Sequence, residues 1–155
     1  SLLRQADAGP RGSLEYPVRF FLDDFANLNI PDIDGILSVV RSRNIWCTLL
    51  LQSVNQLEAQ YGRARAMSIM GNCDTQLVLA FQDIESARMF SERADKTPSS
   101  LFSTPLCRSW LFLRGSRGEL VERFALEDHP LYSELPEAHM YAAYGLDAAL
   151  EPAKA

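Results

Sequence analysis

The run Pro17-Val18-Arg19-Phe20-Phe21-Leu22-Asp23-Asp24-Phe25 constrains this chain more than any other stretch. Val18, Phe20, Phe21 and Leu22 are apolar, with β-branched and aromatic members, and predict a short strand buried on both faces of a parallel sheet. Two carboxylates follow at its carboxyl end. In open α/β sheets ligands bind at that end, and adjacent acids there suit holding a hydrated Mg²⁺ and orienting a water. The same acids could also do no more than end a strand and solvate a turn.

A second apolar run, residues 45–51, contains β-branched Ile45 and Thr48 and reads as another buried parallel strand. It ends in Gln52, whose amide can hydrogen-bond both a nucleophilic water and a phosphate oxygen, reporting whether a γ-phosphate is present. Alternatively Gln52 caps the following helix. Between the two runs, residues 25–31 form a loop, and Asp32 reads as the N-cap of a helix whose Ile33, Ile36, Leu37 and Val40 share one buried face. Arg41 and Arg43 project on opposite flanks of that stripe, and the pattern does not choose between them.

Further on, a helix is predicted from Val54 to about Met70, with Gly62 as a kink and Arg63 and Arg65 solvated. Gly71-Asn72-Cys73-Asp74 forms a turn before a third strand over residues 75–81. Asp83 caps a helix to about Ala94 with Ile84, Ala87 and Phe90 inward, and residues 96–105 form an irregular connection. Residues 108–114 and 119–126, joined by Gly115-Ser116-Arg117-Gly118, make the clearest hairpin. Its turn is either an ordinary tight turn or a contact to a phosphate backbone. Leu2 to Ala8 read as the last turns of a helix, and residues 9–13 as a turn-rich connection. From residue 133 the chain carries no motif and reads as a weakly helical or disordered tail that includes His139.

A formal charge of −5 excludes a surface that binds nucleic acid all over, so any DNA contact is local. The cations are thirteen Arg and two Lys, a skew that fits phosphate recognition or a GC-rich genome. Cys47, Cys73 and Cys107 lack metal-ligand spacing, and Cys47 reads as a buried, reduced cytosolic thiol. No run approaches a membrane span.

Asp23-Asp24-Phe25-Ala26-Asn27-Leu28, Ile30-Pro31, Arg41-Ser42-Arg43, Gln52-Ser53, Gln56-Leu57, Tyr61-Gly62, Gly71-Asn72-Cys73-Asp74 and Asp128-His129-Pro130-Leu131-Tyr132 together resemble the motor domain of type IV secretion coupling proteins, the TraG/TraD-type ATPases of conjugation. The resemblance covers residues 1–132, as the C-terminal portion of that domain, and sets residues 133–155 apart as the tail. It implies a partial RecA-like (P-loop NTPase) α/β domain, with a mostly parallel sheet flanked by helices and a C-terminal β-hairpin. It further implies Asp23 as Mg²⁺ ligand on a Walker B strand, Asp24 orienting water, Gln52 sensing phosphate, and Arg41 as the arginine that reaches nucleotide phosphate. ATP and Mg²⁺ are then the cofactors of the parent protein. Its implied partners are the missing Walker A half, further copies in a hexamer-like ring, DNA, and relaxosome or secretion proteins. The location is cytoplasmic, with a membrane anchor outside this chain and no direct membrane contact from it.

The chain departs from that pattern in three ways. No glycine is followed by lysine, so the Gly-x-x-x-x-Gly-Lys-Ser/Thr loop is missing and the chain alone is expected to be inactive, without bound cofactor. Asp24 stands where the family usually has Glu, one methylene longer. The resemblance implies a longer insertion, in many relatives, at the place of residues 96–105. Two functions follow: the Walker B and sensor portion of a DNA-translocating ATPase, or an inert interaction module docking on relaxosome or channel proteins. In RecA-like motors the P-loop strand lies between the sensor strand and the next. The strand at 75–81 is therefore expected to close the gap by pairing with 45–51, unless another chain fills it.

Overall fold

Residues 1–135 are described by a computed structural model, and the chain divides into two units, Ser1–Val121 and Glu122–Ala155. In the second unit, 3-10 turns at Leu126–Asp128 and Tyr132–Glu134 follow one another, and Phe124 meets the His129 ring edge-on at 6.3 Å. Most of the tail expected beyond residue 132, His139 included, lies outside the described residues.

The first unit opens with α1 (Leu2–Ala8), β1 (Val18–Leu22), a 3-10 turn at Phe25–Asn27, α2 (Ile33–Val40) and a second 3-10 turn at Arg41–Arg43. It continues through β2 (Ile45–Leu49), α3 (Val54–Tyr61), α4 (Arg63–Gly71), β3 (Thr75–Val78), α5 (Ile84–Ala94) and α6 (Pro98–Phe102). The hairpin β4 (Arg108–Leu113) and β5 (Glu119–Glu122) follows. The class is the expected one: mixed α/β, with a parallel pair, flanking helices and a C-terminal hairpin.

Strands β1 and β2 pair in parallel from Val18 opposite Ile45 to Leu22 opposite Leu49. Their inward residues reach a core of Phe25, Ile33, Leu57, Tyr61, Ala66 and Ile69, against which Leu22 and Leu49 pack. Burying a side chain such as Phe25 or Leu57 contributes about 1.5–3 kcal/mol. The opposite face is open. Phe21 is 71% and Trp46 49% exposed, so neither strand is buried on both faces as the apolar runs predicted. A shallow concavity lined by Arg19, Phe21, Trp46, Cys47 and Thr48 lies on that face.

Strand β3 does not close the gap beside β2. It pairs antiparallel with β4, Thr75 opposite Leu113, in a separate sheet ordered β3-β4-β5. That arrangement buries Trp110 and Phe112 with Phe81, Ala87, Phe90, Ala94 and Leu101 in a second core. Among the described residues β2 therefore keeps one unpaired edge. Leu50 N donates to Leu22 O (3.0 Å) and Val18 N to Asn44 O (3.1 Å), so even-numbered residues of this segment point at β1. Parallel pairing then turns the amides of Cys47, Leu49 and Leu51 to the open edge.

Other local expectations are corrected. The helix predicted over 54–70 is two helices, broken at Gly62 (φ 77°, ψ 153°), a conformation that glycine adopts without strain. Asp32 precedes α2 in the left-handed region (φ 52°) and makes no side-chain cap, because capping needs extended backbone there. Asp83 does cap α5, accepting from Ser86 N at 2.7 Å, but Ile84 is exposed. Thr97, with Pro98 at the first position, starts α6 inside the expected irregular segment. Arg65 is not merely solvated: its half-exposed side chain donates through Nε and Nη2 to Asp34 Oδ1 at 3.0 and 2.9 Å, joining α4 to α2. In the hairpin turn Arg117 pairs with Asp95 (3.0 Å).

Candidate functional site

Because β1 and β2 run in parallel, the residues that follow them emerge on one rim. Beyond the strands the ladder continues, with Phe25 N donating to Leu50 O at 3.0 Å. This lays Asp23-Asp24 beside residues 50–52. Asp24 sits in the left-handed region (φ 46°, ψ 39°) and its N–H donates to Asp23 Oδ1 at 2.9 Å. Gln52 Nε2 donates to Asp24 Oδ1 at 3.3 Å, and Gln52 Oε1 accepts from Gln56 Nε2 at 3.4 Å. The alternative in which Gln52 caps the next helix is not realised. Ser53 takes that place, accepting from Gln56 N at 3.3 Å.

The rim thus gathers two carboxylates and one amide, all exposed to solvent. A left-handed aspartate costs about 1 kcal/mol; Asp32, Asn44 and Asp95 adopt the same conformation elsewhere. Among the described residues no group of three or more His, Cys, Asp or Glu converges. Asp23 and Asp24 nevertheless fit Mg²⁺, which takes one or two carboxylates and keeps the rest of its shell as water and phosphate oxygens.

Arg41 is not brought to this rim. The 3-10 turn that carries it leads into the amino end of β2, and Asn44 N bonds back to Arg41 O. A five-residue strand separates the two rims by roughly 13 Å. Arg41 Nη1 donates to Asp74 Oδ2 at 2.7 Å, while Arg114 Nε lies against Asp74 Oδ1 and its Nη2 donates to Gly71 O at 2.8 Å. With the arginines 70% and 61% exposed, such pairs contribute at most about 1 kcal/mol each. Arg43, the other candidate, donates to Asp7 Oδ1 at 2.8 Å and ties α1 down.

Sequence reasoning missed four contributors: Tyr61, Asp74, Arg114 and the Arg65–Asp34 pair. Tyr61 and Asp74 stand in the motif set, so their presence was visible and their contacts were not. Arg65 and Asp34 meet across two helices without any local signal. The Arg65 guanidinium holds the Asp34 carboxyl below the ordinary aspartate range, and burial pushes the half-buried Cys47 and Cys73 thiols up. Among the described residues no helix is long and apolar enough to cross a membrane.

The elements and the rim together define a partial mixed α/β domain with a parallel strand pair and flanking helices. Residues 17–102 match the family described as the TraM recognition site of TraD and TraG, and the chain belongs to that family. Among solved structures it is similar to the unbound bacterial conjugative coupling protein TrwBdeltaN70, with TM-score 0.62 and 16% identity over 79% of this chain and 34% of that one. It is also similar to the plasmid coupling protein TrwB in complex with ADP and Mg²⁺, with TM-score 0.62 and 18% identity over 83% and 36%. The trigonal TrwBdeltaN70 with sulphate gives 0.64 and 19% over 83% and 36%. The chain thus spans about a third of the length of the structures it matches. No protein of curated function matches it.

Proposed function

We propose that this chain is the Walker B and sensor portion of an ATP-driven DNA translocase, a conjugative coupling protein. The supporting observation is the rim at which Gln52 Nε2 meets Asp24 Oδ1 at 3.3 Å, directly beside Asp23. Asp23 would hold Mg²⁺, Asp24 would orient the attacking water, and Gln52 would contact that water and the γ-phosphate. Asp24 is one methylene shorter than Glu, and its carboxylate stands at the Gln52 amide on a left-handed backbone. Arg41, on the far rim, cannot serve the same phosphate within one copy, so its phosphate contact belongs to a neighbouring copy in a ring. The Walker A portion, DNA and a TraM-like relaxosome protein are the remaining partners, on the cytoplasmic side of an anchored parent.

The placement of Arg41 also favours a second reading, an interaction module without chemistry. The two are separated by ATP hydrolysis in the complete coupling protein. Asp23→Ala and Gln52→Ala are expected to reduce turnover at least about a hundredfold with folding intact. Arg41→Ala is expected to act as strongly and to regain activity when mixed with Asp23→Ala subunits. The 155-residue chain alone is expected to give no turnover. Full turnover in the Asp23→Ala protein would leave the module reading in place.

A further inference from the structure

Tyr61-Gly62 belongs to the motif set, yet it touches neither the carboxylates nor the amide of the rim. We propose that Tyr61 is a positioning residue for the acidic pair: it locks the segment after Asp23-Asp24 onto the end of α3 and so holds the Asp24 carboxylate at Gln52. The inference rests on the reading of Asp23, Asp24 and Gln52 given above.

One side chain holds this segment at both ends. At the near end the ring of Phe25, next to Asp24, stacks on the Tyr61 ring with centroids 5.6 Å apart and planes 10° from parallel. At the far end the Tyr61 hydroxyl donates to Leu28 O and accepts from Ile30 N at 3.3 Å. Phe25 is fully buried and Tyr61 is 8% exposed, so the ring contact is shielded from water, while the two hydroxyl bonds are part-buried. Tyr61 is itself fixed, since the Arg65 guanidinium lies 5.6 Å from its ring centroid and Asp34 holds Arg65.

The placement of α3 connects this clamp to the rim. The helix is capped by Ser53, directly after Gln52, and ends at Tyr61. This eight-residue helix therefore begins just after the amide and ends at the clamp. The approach of Gln52 to Asp24 is set from two sides, by the β1–β2 ladder and by α3 through Tyr61.

Tyr61→Phe keeps the ring and removes both hydroxyl bonds. In the 155-residue chain, amide hydrogen exchange of Ile30 is expected to quicken about tenfold, while the melting temperature moves by less than about 3 °C. In the complete coupling protein, turnover at saturating Mg·ATP is expected to fall about tenfold with KM for ATP within about twofold of wild type. A residue that only fills the core would not produce that split. Wild-type Ile30 exchange, or wild-type turnover, in Tyr61→Phe overturns the proposal. Asp23→Ala separates the two failures. If it abolishes turnover and Tyr61→Phe does not lower it, the positioning role alone is wrong; full turnover in Asp23→Ala overturns the reading of the acidic pair, and this proposal with it.

Discussion

Gly118 shows how a single position can be fixed by a partner that local pattern does not reveal. A Cβ added there would stand 2.4 Å from Phe112 Cε1 and 2.9 Å from Cδ1. The backbone cannot retreat freely, because Gly118 N donates to Arg93 O at 2.7 Å. Phe112 cannot yield either: it is fully buried, and the Arg93 guanidinium lies 4.9 Å from its ring centroid. Gly118→Ala is expected to lower stability by about 1–3 kcal/mol, read as a lower midpoint in thermal or urea unfolding. Gly115→Ala, with open space around it but φ at 76°, is expected to cost only about 1 kcal/mol. Both glycines were legible as turn residues, since a hairpin needs them, but the closeness of Phe112 was not. Asp83 was legible as a cap because its partner, Ser86, lies within the first turn. Asp32 looked the same in sequence and failed, since its backbone had already turned left-handed.

Between elements, the joint of α2 and α4 depends on charge. The Arg65 guanidinium, first by hydrogen bonding, holds the Asp34 carboxyl below its ordinary value, and Asp83 is lowered chiefly by the Ser86 N–H. A depressed carboxylate stabilises the fold fully above the unfolded value, about 3.9, and loses that contribution as pH falls through the folded value. The melting-temperature gap between wild type and Asp34→Asn is therefore expected to be constant from neutral pH to about 5. It should then shrink as pH is lowered further. A gap that widens on acidification would show that Asp34 is not charged in the fold. Periodicity placed α2 but ran α3 and α4 together as one helix, because Leu57, Tyr61, Ala66 and Ile69 all reach one core across the break at Gly62. Strand positions were equally legible from their apolar runs. Their burial was not, because an apolar run does not say whether anything covers its second face.

For the first unit as a whole, the open face and edge of the parallel pair decide how it behaves alone. Exposed Phe21 and Trp46 beside unpaired strand amides form a surface that favours association. The 155-residue chain is expected to self-associate as its concentration rises, and Phe21→Lys with Trp46→Lys to abolish this in sedimentation without lowering the melting temperature. Topology was the least legible level. The sequence orders its strands but does not state their neighbours, so β3 was assigned to β2 when the hairpin offered it a better-buried partner in β4. The separation of Asp23-Asp24-Gln52 from Arg41-Asp74 has a consequence in symmetry. Each copy presents unlike rims, so under the proposed function a twofold dimer would bring like to like and complete no site. A head-to-tail ring would complete every one, and would give the assembly a fixed sense around its axis, each copy's Asp23 rim meeting the next copy's Arg41 rim.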